Sequence, residues 1–234
     1  MTDKPVIVIL GAGMGGRGVA QALAPENHLV IVDVALEPAQ RACDIAIAAG
    51  GTAEPVVVNL TDLDSVRQFC ADLVSRHGHV DAVIHLVGGW RGSKTVDAEA
   101  IDQWGQLVPG IVGTVQTTTV AFLDTLKAAP TGRYVMVTST SVQTPKKTYP
   151  AYAAAKSAAE AWVRATGDAM ADSDARAVIV AVNALVDQAT RDANPDKAYA
   201  KSTDTVDLGK AIGSLLTDSD VENGAYIDLA PDGA

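Results

Sequence analysis

The feature that most constrains the fold is a glycine-rich turn between two short apolar runs near the start of the chain. The run Val6–Leu10 is followed at once by Gly11, Gly13 and Gly16, which fit the pattern G-x-G-x-x-G, and after a helical stretch a second apolar run ends at Asp33. This order is typical of a dinucleotide-binding βαβ unit, because glycines let the backbone approach a pyrophosphate at a helix N-terminus. The loop residues predicted to contact the cofactor are Gly11, Gly13, Met14 and Gly16.

Asp33 bears on the choice between the two nicotinamide dinucleotides. A carboxylate at the end of the second strand accepts hydrogen bonds from the ribose hydroxyls and repels a 2′-phosphate, so NAD(H) is the predicted cofactor. Arg17 in the glycine loop is the one residue that could meet a 2′-phosphate, and NADP(H) therefore stays an alternative.

A second group of residues, in the middle of the chain, suggests hydride transfer coupled to proton transfer. Tyr152 and Lys156 are four residues apart in an alanine-rich stretch, so they share one face of a predicted helix. Free tyrosine has a pKa near 10, and a unit charge about 5 Å away lowers it by roughly two units at an effective dielectric constant of about 20. We predict that Tyr152 is the acid/base, that Lys156 lowers its pKa, and that Ser139 binds the substrate oxygen.

Together these motifs resemble those of the short-chain dehydrogenase/reductase family along nearly the full length of the chain. The thirteen residues from Ser139 to Tyr152 reproduce the family's own spacing. The resemblance implies that Lys156 also holds the nicotinamide ribose and that the protein forms a homodimer or homotetramer through its long helices. The further cofactor contacts that it implies are Asn59, Leu60, Gly88, Tyr152, Lys156 and the backbone of Val186.

Several positions depart from the family pattern. The glycine loop lacks the family's first threonine and last glycine. The helical asparagine that usually completes the catalytic tetrad falls near Gly110 or Ile111, so we expect a different or weaker proton relay. The usual Pro-Gly after the sixth strand is Asn183-Ala184, and Gln188 replaces a threonine that contacts the nicotinamide carboxamide.

A local match points to one branch of the family. The segment Gly88–Trp90 after the fourth strand, together with Asp33 and the missing asparagine, resembles the dihydropteridine reductase branch, which uses NADH. Ser139 argues against that branch, which has alanine there. Trp90 is predicted to line the substrate cleft and stack on a planar ring, with loop packing as the alternative, and Gln188 is the second predicted substrate residue.

The polar segment 187–203 contains Asn194-Pro195 and lies between the sixth strand and the next helix. Long polar loops at such places are commonly lids that exclude water during hydride transfer. We therefore predict that this segment is a lid that becomes ordered when the cofactor binds.

The pattern of apolar runs predicts the fold. Short β runs alternate with alanine-rich helical stretches, which indicates βα units with right-handed crossovers. Together with these units, the resemblance to the short-chain dehydrogenase/reductase family implies one α/β domain over residues 1–234, a doubly wound Rossmann fold with a seven-stranded parallel sheet in the order 3-2-1-4-5-6-7 and helices on both faces. The run Gly224–Leu229 is the predicted seventh strand.

Charge and composition exclude several classes of partner. The net charge of −10 argues against binding to nucleic acid or to an anionic membrane, and the partner predicted instead is a small-molecule substrate. No apolar run approaches the roughly 20 residues that cross a bilayer, and the early strand predicts that no targeting signal precedes it. Cys43 and Cys70 lack a C-x-x-C spacing, and His28, His77 and His79 lack a metal-ligand spacing. We therefore expect a cytoplasmic protein without a metal.

Three functions follow from these patterns. The first is an NAD(H)-dependent oxidoreductase that interconverts a carbonyl and an alcohol. The second is a reductase of a conjugated C=N substrate, similar to dihydropteridine reductase. The third, left open by the missing asparagine, is a dinucleotide-binding sensor or scaffold with weak catalysis.

Overall fold

The computed structural model describes residues 4–231 and has alternating strands and helices. The strands are β1 Val6–Leu10, β2 His28–Asp33, β3 Thr52–Val57, β4 Ala82–His85, β5 Arg133–Ser139, β6 Arg176–Val182, β7 Leu185–Val186, β8 Thr203–Asp204 and β9 Tyr226–Asp228. The α-helices are α1 Met14–Leu23, α2 Leu36–Ala48, α3 Leu63–His77, α4 Ala98–Val108, α5 Thr114–Ala128, α6 Pro150–Ala169, α7 Gln188–Ala193 and α8 Thr205–Thr217.

Seven of the strands form one parallel sheet in the order β3-β2-β1-β4-β5-β6-β9. This confirms the predicted topology, with the last strand of the sheet being the ninth in chain order. That strand, Tyr226–Asp228, is shorter than the run 224–229 that predicted it. The short strands β7 and β8 pair only with each other, beside the main sheet.

The helices cover both faces of the sheet, also as predicted. Side chains of a strand alternate between its two faces, so a fully apolar strand indicates burial on both sides. In β1, Val6, Val8 and Leu10 join a core built with α3, α5 and α6, whereas Ile7 and Ile9 join a second core built with α1, α2 and α8. A fully buried side chain of this size contributes about 1.5–3 kcal/mol, so both faces hold the sheet in place.

Two segments differ in detail from what the sequence predicts. The segment 187–203 contains the short helix α7, which the Asp187 carboxylate caps by accepting a hydrogen bond from the Thr190 backbone N–H. Between α4 and α5 the chain makes one π-helical turn, Pro109–Gly113. Such turns are often found at functional sites. Within residues 4–231, every helix is too short or too polar to cross a membrane.

Candidate active site

A cleft runs along the carboxyl ends of the parallel strands, where open α/β sheets bind their ligands. It consists of two adjoining cavities. The first, of about 350 Å³, contains Tyr152 and is called the tyrosine cavity; the second, of about 450 Å³, contains Asp33 and is called the aspartate cavity. The residues that line both are Gly11, Gly13, Leu86 and Gly88. The glycine loop therefore lies between the two halves of one elongated site.

The glycine loop presents free backbone donors to this cleft. Gly11 has φ of 99°, a conformation that glycine adopts without steric cost. A Cβ at Gly16 would lie 2.0 Å from the Gly11 carbonyl oxygen, so the helix can approach the strand this closely only with glycine there. Helix α1 starts at Met14 and receives no side-chain cap from Gly13. Its first N–H groups are thus available to a phosphate, which fits the pyrophosphate of a dinucleotide.

Asp33 lies at the end of β2, on the wall of the aspartate cavity. Its carboxylate accepts hydrogen bonds from the backbone N–H of Ala12, at 3.0 Å, and of Ala35, at 3.3 Å. Asn59 and Leu60 line the same cavity. The exposed Asn59 amide oxygen is bonded to the Thr61 backbone N–H and hydroxyl. The cavity thus combines an acidic residue, an amide and apolar walls, a suitable environment for a ribose and a flat base.

Arg17 pairs with Asp187 in the structure. Its guanidinium is 3.5 Å from the Asp187 carboxylate, at the start of the predicted lid. The hydrogen bond from the Thr190 hydroxyl, followed by the Arg17 guanidinium, holds the pKa of Asp187 below its usual value. In this arrangement Arg17 links helix α1 to the start of segment 187–203.

Ser139, Tyr152 and Lys156 all line the tyrosine cavity. Ser139 is the last residue of β5, and the other two lie one turn apart at the start of α6. The Ser139 hydroxyl accepts a hydrogen bond from the Ser141 backbone N–H and also interacts with the Tyr152 phenol. Lys156 is buried, and its ammonium donates to the Val137 carbonyl at 3.0 Å. The sequence prediction that these three residues meet agrees with this placement.

The ionisation of the pair differs from the sequence expectation. Burial raises the pKa of Tyr152, and the hydrogen bond with Ser139 opposes this rise. Burial also lowers the pKa of Lys156 to about 8, although the charge of the Glu160 carboxylate raises it. The expected lowering of the tyrosine pKa is therefore absent from the structure, because desolvation of the phenol outweighs the other contributions.

Glu160 is a residue that sequence reasoning missed. It is almost completely buried, and it accepts hydrogen bonds from the Thr138 hydroxyl at 2.9 Å and from the Arg164 guanidinium at 3.2 Å. The signal that could have found it is its spacing, since it lies four residues after Lys156 on the same helix. Its negative charge stabilises the Lys156 ammonium in a place where water cannot.

Gly110 and Ile111, the two positions near which the missing asparagine falls, both lie in the π-helical turn. Gly110 borders the aspartate cavity, and its carbonyl accepts a hydrogen bond from the Thr114 hydroxyl. That hydroxyl also lies 3.0 Å from Nε2 of the buried His85. Among the described residues the His85 Nδ1 has no hydrogen-bond partner, and burial followed by the nearby Lys156 charge lowers the His85 pKa to about 3. The histidine is thus neutral, and only one of its two ring nitrogens has a hydrogen-bond partner among the described residues.

The predicted substrate residues have different surroundings. Trp90 lines the tyrosine cavity and is 66% exposed, which favours a cleft wall over loop packing. Gln188 is exposed and its side chain donates to the Asp192 carboxylate at 2.7 Å, so it does not line the cavity here. Val186 is buried in β7, and the cavity wall at this point is formed by its neighbours, residues 182–185.

Comparison with known proteins defines the class to which this cleft belongs. A family model for the short chain dehydrogenase matches residues 5–198. The chain therefore belongs to the short-chain dehydrogenase family. This agrees with the presence of the glycine loop and the Tyr-x-x-x-Lys motif in a single cleft.

The individual relatives have low sequence identity to this chain. The chain is 28% identical over 156 residues to a protein of Mycobacterium tuberculosis named "Probable oxidoreductase EphD", and the match covers 65% of this chain but only 26% of that protein. Among solved structures, a short-chain type dehydrogenase/reductase from Mycobacterium ulcerans has a TM-score of 0.85 at 20% identity, covering 98% of this chain and 89% of the other. An NAD+-bound xylitol dehydrogenase has a TM-score of 0.85 at 17% identity, covering 97% of each chain. These structures share the fold.

Proposed function

We propose that the protein is an NAD(H)-dependent oxidoreductase that interconverts a carbonyl and an alcohol. The observation that carries the proposal is the single cleft in which Ser139, Tyr152 and Lys156 lie next to an uncapped helix N-terminus. The carboxylate of Asp33 at the far end favours NAD(H) over NADP(H), because it would repel a 2′-phosphate. The xylitol dehydrogenase that shares the fold has NAD+ bound, which is consistent with this choice.

When bound, the nicotinamide would supply or accept the hydride. The substrate oxygen would lie between the Ser139 hydroxyl and the Tyr152 phenol, both of which can donate to it. During reduction the phenol gives its proton to the developing alkoxide, and the Lys156 ammonium stabilises the phenolate that results. Because burial raises the pKa of Tyr152, the phenol is protonated at neutral pH, which suits the reduction direction.

A reductase of a conjugated C=N substrate is the second candidate. The exposed ring of Trp90 on the wall of the tyrosine cavity favours a flat substrate, as in the dihydropteridine reductase branch. The ring lies over Gly92, where a Cβ would be 2.6 Å from the Trp90 Cη2 atom. The absence of a side chain at Gly92 therefore lets the indole pack against the loop.

The third candidate, a binding protein with weak catalysis, rests on the absence of the family's helical asparagine. Without the asparagine side chain, Lys156 has its hydrogen bond to the Val137 carbonyl and its charge interaction with Glu160 as its described contacts. Under this hypothesis NADH would bind but turnover would be slow.

A substrate panel tests these proposals. NADH consumption would be measured with an aromatic ketone, a β-ketoacyl thioester, a quinone and quinonoid dihydropterin. Turnover of a carbonyl compound supports the first candidate, and turnover of the dihydropterin alone supports the second. Tight NADH binding without turnover of any of them would favour the binding protein, and failure to bind NADH would refute all three.

We also propose that the protein self-associates through α5 and α6, as the sequence resemblance implies. These helices carry a shallow apolar groove that contains the exposed residues Val120 and Trp162. Light scattering after size-exclusion chromatography should give a dimer or tetramer. A monomer at micromolar concentration would contradict the proposal.

A further inference from the structure

A group of metal-binding side chains lies at the end of the sheet opposite the cleft. It consists of His28, the first residue of β2; Glu54, in the edge strand β3; and His77, the last residue of α3. His28 and Glu54 project from the same face of the sheet, because β2 and β3 pair His28 with Thr52 and Val30 with Glu54. Helix α3 ends at His77, and Gly78, with φ of 89°, turns the chain immediately afterwards. The imidazole ring of His77 therefore lies against that face of the sheet.

The distances between these groups suit a metal ion. One potential ligand atom from each of the three residues lies within 4.8 Å of the other two. The His77 Nε2 is 3.1 Å from a Glu54 oxygen, and the rings of His28 and His77 have centroids 4.9 Å apart. Ligand atoms about 2.0–2.1 Å from a tetrahedral zinc ion are roughly 3.3 Å from each other. A modest approach of His28 would therefore complete the set.

One ring nitrogen of His28 is held by a hydrogen bond and the other is available to a metal. Its Nδ1 is 2.9 Å from the Thr52 hydroxyl, while its Nε2 is buried and has no hydrogen-bond partner among the described residues. Metal-binding histidines commonly use one nitrogen for the metal and hold the other in such a hydrogen bond, which fixes the ring.

Positive charge near the group limits its affinity. Arg76 donates to both Glu54 oxygens at 2.7 Å, and the Lys4 and Arg76 charges both disfavour a cation at His28. An arginine bonded to a ligating carboxylate is also an outer-shell partner of the kind that orients such ligands. The Arg76 contact is thus compatible with a metal bound to the side of Glu54 that faces His77, at moderate rather than extreme affinity.

We propose that His28, Glu54 and His77 form a binding site for one divalent transition-metal ion, with Zn²⁺ as the ion to test. Two imidazole nitrogens and one carboxylate oxygen are ligands that zinc accepts, with water in the remaining position. The site joins the C-terminal end of α3 to the edge strand β3 and to its neighbour β2. Its role is structural, since it lies at the opposite end of the strands from the cleft, and it does not depend on the proposed oxidoreductase activity.

Calorimetric titration with ZnCl₂ tests the site in full-length protein first treated with a chelator. We expect one Zn²⁺ per chain, and a Kd at least about tenfold weaker in each of the variants His28→Gln and His77→Gln. The variant His79→Gln is the matched control, because His79 is a neighbouring histidine that pairs with Asp81 and lies outside the group. Its Kd should equal that of the wild type.

Two further measurements distinguish binding at this site from misfolding of a variant and from zinc binding elsewhere. Zn²⁺ should raise the Tm of the wild type and of His79→Gln but not of His28→Gln, with far-UV circular dichroism showing that all three are folded. Co²⁺ should give visible absorption without the strong near-ultraviolet band that Cys43 or Cys70 would produce as ligands. Equal zinc affinity in the wild type and in both the His28 and His77 variants, or no binding by the wild type, would overturn the proposal.

Discussion

Replacing Lys156 with methionine should stabilise the protein at neutral pH. The lysine is buried in the tyrosine cavity, and its pKa falls from an ordinary 10.5 to about 8. Each pKa unit corresponds to about 1.4 kcal/mol, so holding the charged form in the folded state costs about 3 kcal/mol below pH 8. Methionine removes this cost but leaves the Val137 carbonyl without its hydrogen bond, a loss of about 1–2 kcal/mol. The expected net gain is about 1–2 kcal/mol, or roughly 2–8 °C in Tm.

The difference in stability between the wild type and Lys156→Met should depend on pH. Between the folded pKa of about 8 and the ordinary 10.5, the unfolded chain binds the lysine proton and the folded chain does not. The lysine's contribution to wild-type stability therefore rises with pH across this window, while the methionine variant has no such contribution. The advantage of Lys156→Met should shrink as pH rises, and the wild type should be the more stable protein near the upper end.

Urea unfolding of both proteins, followed by circular dichroism at several pH values from neutral to about 10, measures this difference. Comparing the two proteins at each pH cancels the titration of other groups. A variant that is no more stable than the wild type at neutral pH, with a difference that does not change with pH, would refute the idea that a buried ammonium is held there at a cost.

Three other predictions concern the cleft. Asp33→Ala should narrow the preference for NADH over NADPH because it removes the charge that repels a 2′-phosphate, and an unchanged ratio of kcat/KM values would contradict this. Glu160→Gln should lower the pKa of Lys156 and shift the alkaline fall of kcat/KM for reduction to lower pH, whereas an unmoved profile would show that this carboxylate does not support the ammonium. Limited proteolysis within residues 187–203 should slow when NADH is present, and equal cleavage with and without NADH would rule out a lid that becomes ordered.

Much of the fold could be predicted from local sequence patterns. The run Val6–Leu10, the glycine loop and the later run that ends at Asp33 indicated the first βαβ unit, and the family resemblance supplied the strand order around it. Asp33 and Ser139 could be expected at one cleft because both lie where parallel strands end, whereas Tyr152 was assigned to it from its spacing to Ser139. Local patterns also suggested that Lys156 would be near the phenol, because four residues span one helical turn.

Features that depend on burial and on distant contacts could not be predicted in this way. The raised pKa of Tyr152 reflects desolvation, which a count of neighbouring charges in the sequence does not include. His28, Glu54 and His77 are separated by more than twenty residues from each other, and only the packing of α3 on the sheet brings them together. Gln188 was assigned by its place in a motif, but the helix at 188–193 directs its side chain to Asp192.

The central claim is that Tyr152 transfers a proton in a dinucleotide-dependent reaction. Tyr152→Phe tests it directly when NADH affinity and turnover of the best panel substrate are both compared with the wild type. The phenol's proton is needed only in the transition state, so kcat should fall by about a hundredfold or more while the Kd for NADH changes little. Unchanged turnover in the phenylalanine variant would contradict the mechanism.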